Sequence, residues 1–259
     1  MNTTELIVED HQHVRVITLN RPEHKNTLTR ALIRQLSEII LDAEHDSDVW
    51  VLVLVGTGNL FSAGIDLKDA MQASQNERGS IHPNAGLSRN LHQLLASLSK
   101  PTVCGFEGYC YAAGAELALA CDLRIASETS TIGLPEVIRG MGANFASVML
   151  QRLIPRAIAL EMLYTGDPIT SAQALKCGLV NRVVPAGQAN NEALKLAQSL
   201  TKNSPVSLRR IKAMSIKTQS MGLHEGLHLD ASPDPYSSED RQEGIAAFLE
   251  KRTPEWKNK

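Results

Sequence analysis

The sequence predicts an α/β fold with a helical C-terminal subdomain. Strand-like and helix-like patterns alternate through the first half of the chain. The run Val49-Trp50-Val51-Leu52-Val53-Leu54-Val55 is continuously apolar and largely β-branched, as a strand covered on both faces requires. From about residue 187 onward the pattern is helical alone.

HVRVITLN alternates in part through Val14, Val16 and Thr18-Leu19 and reads as the first strand. Asn20-Arg21-Pro22-Glu23 is turn material. Leu28, Leu32, Leu36, Ile39, Ile40 and Ala43 recur at helical spacing, with Asn26 or Thr27 expected as the N-cap. The apolar run ends at Gly56-Thr57-Gly58-Asn59. Residues 71–86, MQASQNERGSIHPNAG, are polar with Gly and Pro, and are expected to form a mobile, lid-like loop. A helix over 87–98, a strand from Pro101 through TVCGFEG, a helix over 113–121 and a short strand over 122–126 come next. The C-terminal helices are expected at 187–201, 205–219, 222–231 and 237–251, punctuated by Pro205, Pro233 and Pro235.

The 259 residues are 43% hydrophobic and 21% charged, ordinary values for a globular protein able to bury a sizeable core. A formal net charge of −2 gives no electrostatic case for a nucleic-acid partner or an anionic membrane. The opening MNTTELIVED lacks the basic and apolar regions of a secretory signal, and the longest apolar run is too short to span a bilayer. Cys104, Cys110, Cys121 and Cys177 show no CxxC spacing, so a reduced, cytoplasmic setting is expected.

Two short stretches carry the chemistry. NLFSAGIDLKD spans residues 59–69, and GYCYAAGAELALACD spans 108–122, with IGLPE ending at Glu136. The runs Ser62-Ala63-Gly64 and Ala112-Ala113-Gly114-Ala115 let backbone N–H groups approach a ligand closely. Each comes after a strand-like segment and opens a helix-like one. Together with Glu116 and Glu136 they suit chemistry beside a carbonyl oxygen. Glu116 lies in the apolar stretch AAGAELALA, where a solvated carboxylate is out of place.

These motifs resemble those of the crotonase (enoyl-CoA hydratase/isomerase) superfamily over nearly the full length. LNRPEHKNTL looks like the family's opening strand-turn-helix, FSAGIDLKD its first oxyanion loop and GYCYAAGAELALACD its second. TGDPITSAQALKCGLVNRVVP and SSEDRQEGIAAFLEKRTPEW are similar to its later segments. The resemblance implies a spiral of ββα units over residues 1–195 and a helical assembly region over 196–259 that builds homotrimers, often paired into hexamers. It implies an acyl-CoA thioester as substrate, with no metal and no other cofactor.

By the same resemblance, the N–H groups of Ile65 and Ala113 form the oxyanion hole. Glu116 orients and activates a water, and Glu136 delivers a proton to the α-carbon. Ala63, Asp66 and Lys68 of the first loop, with Phe248 and Lys251 near the C-terminus, are implied CoA contacts. Phe145 and Met149 lie in the segment that shapes the acyl pocket and are bulkier than is usual there, so a short or medium acyl chain is expected. The chain also departs from the family in having Asn59-Leu60 where a basic residue often precedes the first motif.

A rival motif is His224-Glu225-Gly226-Leu227-His228, which matches HExxH and on a helix would offer two His to zinc with Glu225 as base. Gly222 and Ser232-Pro233 confine that helix. A third ligand would have to be Glu243 or Glu250, and nothing singles out either. His11, His13, His24, His45, His82 and His92 show no ligand spacing. The expected activity is therefore reversible hydration of an enoyl-CoA. Double-bond isomerisation or decarboxylation in the same fold, a non-catalytic acyl-CoA binder and a metallopeptidase are the alternatives.

Overall fold

A computed structural model describes residues 4–76 and 90–259. Its strands are β1 (Leu6–His11), β2 (Val14–Leu19), β3 (Val51–Gly56), β4 (Thr102–Phe106), β5 (Tyr109–Tyr111), β6 (Leu123–Ser127), β7 (Thr131–Gly133), β8 (Ile169–Thr170) and β9 (Arg182–Val184). Its helices are α1 (Arg30–His45), α2 (Leu67–Asn76), α3 (Leu91–Ala96), α4 (Ala113–Ala120), α5 (Asn144–Leu153), α6 (Arg156–Thr165), α7 (Ser171–Lys176), α8 (Ala189–Leu200), α9 (Pro205–Lys217), α10 (Leu223–Leu227) and α11 (Glu239–Glu250).

The main sheet has the order β1-β2-β3-β4-β6-β9. Only β1 runs antiparallel to its neighbour; the remaining pairs are parallel. A smaller sheet, β5-β7-β8, stands apart, with β5 and β7 parallel. Strand, strand, helix is the recurring unit, as in β1-β2-α1 and β4-β5-α4.

Every residue of β3 is buried, as its unbroken apolar run requires. Successive side chains leave opposite faces. Leu52 and Leu54 join the core beneath α1, α3 and α4, whereas Val51, Val53 and Val55 pack with Ala189, Ala193 and Ala197 of α8. Those alanines bring α8 so close that a Cβ on Gly105 would lie 2.9 Å from Ala193 Cβ. Glu107 caps α8, accepting from Gly187 N at 3.0 Å and Ala189 N at 2.8 Å. This helix runs through residues 195 and 196, where the sequence places the start of the assembly region. α9 is tied to the core by Lys212 Nζ, which donates to Lys100 O at 2.8 Å and Asp122 Oδ2 at 2.7 Å.

Several local expectations need correction. The N-cap of α1 is Thr29, whose side chain accepts from Leu32 N at 3.1 Å, not Asn26 or Thr27. Asn26 is fully buried and occupied elsewhere, and Thr27 Oγ1 donates to Asp66 Oδ2 at 3.2 Å. The strand β1 and the helices α5 to α7 were not anticipated. Residues 71–76, expected in a loop, continue α2, and the rest of that expected loop lies outside the described residues. No described helix is long and apolar enough to cross a membrane.

Arg124 secures the end of α4. Its guanidinium is buried and donates to Leu179 O (2.6 Å), Ala118 O (3.1 Å) and Cys121 O (2.6 Å). A cation at a helix C-terminus also complements the helix dipole. Arg124→Leu removes the guanidinium's bonds to these carbonyls, of which Ala118 O keeps only its bond from Cys121 N, and is expected to cost about 3 kcal/mol. Urea unfolding checks this; a loss under about 1 kcal/mol would contradict the role.

Candidate active site

Three chain segments run side by side at one place. Ser62 bridges Cys110 in parallel, and Cys110 pairs with Ile132 in parallel. Ser62 N donates to Tyr109 O at 3.1 Å, and Tyr111 N donates to Ser62 O at 2.9 Å. Parallel segments leave a junction at the same end, so the residues just beyond each segment converge. The first leads to Gly64 and Ile65, the second to Ala113 and Glu116, and the third to Glu136.

The first loop is held almost completely by hydrogen bonds. Ser62 Oγ donates to Asn26 O at 2.8 Å and accepts from Gly64 N at 3.1 Å. Ala63 N donates to Lys25 O, and Asp66 N to Leu28 O, both at 3.0 Å. Leu28 N in turn donates to Gly64 O at 2.8 Å. Between Ser62 and Asp66, the N–H of Ile65 is the one that meets no acceptor among the described residues.

The second turn is strained. Ala112 has φ 53° and ψ −131°, a conformation that alanine rarely adopts. Its N–H donates to Gly133 O at 3.0 Å. The kink swings the chain from β5 directly into α4, so that Ala113 becomes the first helical residue. The Ala113 N–H has no acceptor among the described residues, as first-turn N–H groups do not. Gly64, at φ 95°, packs against this turn: a Cβ there would lie 2.6 Å from Ala112 Cβ and 3.1 Å from Ala113 N. The two free donors therefore sit together.

Glu116 is buried on α4, and its Oε1 accepts from Ala146 N at 2.9 Å. Ala143 supplies no side-chain cap to α5, so the Glu116 carboxylate does the capping. Burial pushes the carboxyl above its ordinary value, opposed by the N–H groups of Ala146 and Phe145. Glu136 is held in the one-turn helix Pro135–Arg139 that succeeds β7. Its Oε2 is buried without a partner among the described residues. Burial, with repulsion from Glu116, pushes its pKa up to about 7.

His92 is a component that spacing did not reveal. Its Nε2 lies 3.2 Å from Ala113 O and 3.9 Å from Glu116 Oε2. Its ring stacks on Phe145 with centroids 5.6 Å apart. Burial pushes its pKa down to about 4. Nothing in the sequence marks it, because it comes from α3 and meets Glu116 only through helix packing.

Paired buried carboxylates beside two free N–H donors are suited to proton transfer next to an oxygen that gains charge. A family model described as enoyl-CoA hydratase/isomerase matches residues 9–259. The chain belongs to the enoyl-CoA hydratase/isomerase family. A 2,3-dehydroadipyl-CoA hydratase of Escherichia coli is 36% identical, over 99% of this chain and 100% of that protein. An enoyl-CoA hydratase of Mycobacterium tuberculosis is 33% identical, over 98% and 97%. A crystal structure of enoyl-CoA hydratase from Mycobacterium tuberculosis H37Rv superposes with a TM-score of 0.88 at 33% identity, covering 98% of this chain and 99% of that one. One from Bacillus anthracis gives 0.88 at 30%, covering 99% and 100%. The family and the crotonase fold expected from the sequence are both borne out.

Other residues that the family resemblance singled out fall in differing places. Asp66 caps α2, accepting from Lys68 N at 3.2 Å and Asp69 N at 3.3 Å, and these bonds help hold its pKa below the ordinary value. The N–H of Ala63 is occupied by Lys25 O, and the Lys68 side chain is exposed in the first turn of α2. Phe145 and Met149 are one helical turn apart on α5 and half-buried. Phe248 is 83% exposed on α11, and Lys251 closes that helix with φ 56°. In the HExxH segment, α10 spans only Leu223–Leu227 and His228 Nδ1 pairs with His224 O at 2.8 Å. Among the described residues, no group of three or more His, Cys, Asp or Glu side chains is arranged to hold a metal ion.

The two turns make opposite predictions about stability. Gly64→Ala forces a side chain into φ 95° and onto Ala112, and is expected to destabilise by about 1–3 kcal/mol. Ala112→Gly relieves the strain at φ 53° and is expected to stabilise by roughly 1 kcal/mol. Thermal and urea unfolding measure both; equal effects in the same direction would contradict the strain assignment.

Proposed function

We propose that this protein is an enoyl-CoA hydratase, a hydro-lyase that adds water reversibly across the α,β double bond of an acyl-CoA thioester. The observation that carries the reading is the exit of Ile65, Ala113-Glu116 and Glu136 from one parallel junction. Family membership and the hydratase activities for which the relatives are named support it.

In this mechanism the thioester oxygen accepts from the N–H groups of Ile65 and Ala113, which form an oxyanion hole. Both donors are fixed before substrate arrives, so stabilising the enolate costs little reorganisation. Glu116 is the ionised partner, because the start of α5 supplies N–H groups to its carboxyl, that of Ala146 to Oε1. Its Oε2 orients and deprotonates the water that attacks the β-carbon. Glu136, with an unpaired buried oxygen, is the protonated partner and delivers its proton to the α-carbon. Like charges close together favour this division, since ionising the second carboxyl beside the first is costly. Coenzyme A enters only as part of the substrate, and neither metal nor redox cofactor takes part.

CoA is assigned to Ala63, Asp66 and Lys68 of the first loop, with Phe248 and Lys251 reaching the nucleotide, and the acyl chain to the face of Phe145 and Met149. Of these, Asp66 acts by shaping the loop, given its capping bonds. A homotrimer or a hexamer is the proposed assembly. Exposed Leu223, Leu227, Phe248 and Leu249 on the C-terminal helices support buried contacts between subunits. The buried free thiols of Cys104, Cys110 and Cys121 fit a reducing, cytoplasmic setting.

Glu116→Gln and Glu136→Gln each keep size and polarity, and Gln at 116 still accepts from Ala146 N. Each is expected to lower hydration turnover at least about 100-fold while leaving acyl-CoA affinity within a few fold. A turnover assay on enoyl-CoA thioesters of graded length, with product identification, checks this; near wild-type turnover in either variant would sink the two-carboxylate mechanism.

The pH dependence comes from Glu136. Proton delivery needs its neutral form, present below a pKa of about 7 and lost above it. The kcat/KM for hydration should therefore fall on the alkaline side with a midpoint near that value. The raised pKa also means that stability is lost as pH rises through about 7, and Glu136→Gln should remove that loss. A flat kcat/KM profile between pH 6 and pH 9 would contradict the assignment of the acid.

A further inference from the structure

We propose that His92 is a positioning residue for Glu116. The inference rests on the hydratase reading and adds a residue to it.

The tautomer is set by the partner. A backbone carbonyl only accepts, so the nitrogen 3.2 Å from Ala113 O carries the hydrogen, and the neutral ring is protonated at Nε2. The same nitrogen lies 3.9 Å from Glu116 Oε2. That distance is too long for a hydrogen bond, yet it places a fixed positive dipole beside the oxygen that is not engaged by α5. The ring stacks on Phe145, whose neighbour Ala146 grips Glu116 Oε1. Glu116 is thus bounded on both oxygens: Oε1 by the start of α5, and Oε2 by His92.

His92 is itself anchored. It lies in the first turn of α3, whose N-terminus is closed by a reciprocal capping box between Asn90 and Gln93. Leu91 and Leu95 of the same helix are buried in the main core. The imidazole also ties together the two parts of the site on α4, since it binds the carbonyl of Ala113 and faces Glu116. Its side chain is largely buried, at 14% exposure. A carboxylate held in one orientation delivers water along one path, and a misplacement of about 1 Å can cost on the order of 100-fold in rate.

The test compares a shape mimic with a donor mimic. His92→Phe keeps an aromatic ring against Phe145 and removes the N–H; His92→Leu removes both. His92→Gln places an amide N–H near the position of Nε2. With but-2-enoyl-CoA as the probe, the Phe and Leu variants are expected to lose roughly 10- to 100-fold in kcat with KM changed under about 3-fold. The Gln variant should recover most of the lost kcat. A merely structural role would move KM, kcat and melting temperature together and would not be rescued by Gln. Either donor-less variant with kcat within about 2-fold of wild type, or a Gln variant as slow as Phe, would overturn the inference. Glu116→Gln is measured alongside. If it stays active, the hydratase reading fails. If it is inactive while His92→Phe is fully active, only the role of His92 fails.

Discussion

The site depends on one constraint, the parallel alignment of Ser62, Cys110 and Ile132 across three chain segments. Parallel strands end at the same side, so short extensions from each meet without any long-range loop. The alignment is sterically tight. A Cβ on Gly114 would lie 2.6 Å from Ser62 Cβ, and one on Gly64 would lie 2.6 Å from Ala112 Cβ. The small-residue runs that stand out in the sequence are therefore required by close backbone approach. The strain at Ala112 is the local cost of turning from β5 into α4 without an intervening loop.

The electrostatics arise from the same packing. Two buried carboxylates have different surroundings: Glu107 has both oxygens occupied by backbone N–H groups at the start of α8, whereas Glu116 has only one so engaged. The first arrangement completes a structural cap. The second leaves one oxygen outside the cap, the oxygen the proposed mechanism uses, while the helix still supports a charge. Glu136 has only its own backbone N–H for support, and burial with repulsion from Glu116 leaves it the easier of the pair to protonate. In the proposed mechanism, different environments acting on identical side chains separate a base from an acid.

Much of this was legible in the sequence. The strand β3, the helix α1 and the helix α4 announce themselves by period or by an unbroken apolar run. Glu116 was conspicuous because a carboxylate in AAGAELALA needs a reason to be there. What was missed has physical causes. β5, β7 and β9 have three residues each, too few for a period, and exist through tertiary pairing. β1 is mostly exposed and carries acidic residues, so no apolar face marks it. The cap of α1 moved to Thr29 because the Asn26 side chain accepts from Arg21 N and donates to Thr57 O, contacts set by tertiary structure. His92 acquires its surroundings only when α3 packs on α4, and no linear spacing encodes that contact.

The central claim is that these groups add water across a thioester-conjugated double bond, with the oxygen going to the β-carbon and a solvent-derived proton to the α-carbon. The direct measurement is turnover of but-2-enoyl-CoA in D2O enriched with 18O-labelled water, read by mass spectrometry and NMR. The account predicts a 3-hydroxyacyl-CoA product bearing 18O on C3 and one deuterium on C2. An unhydrated product with deuterium at C4, or a hydroxylated product without 18O on C3, would contradict it.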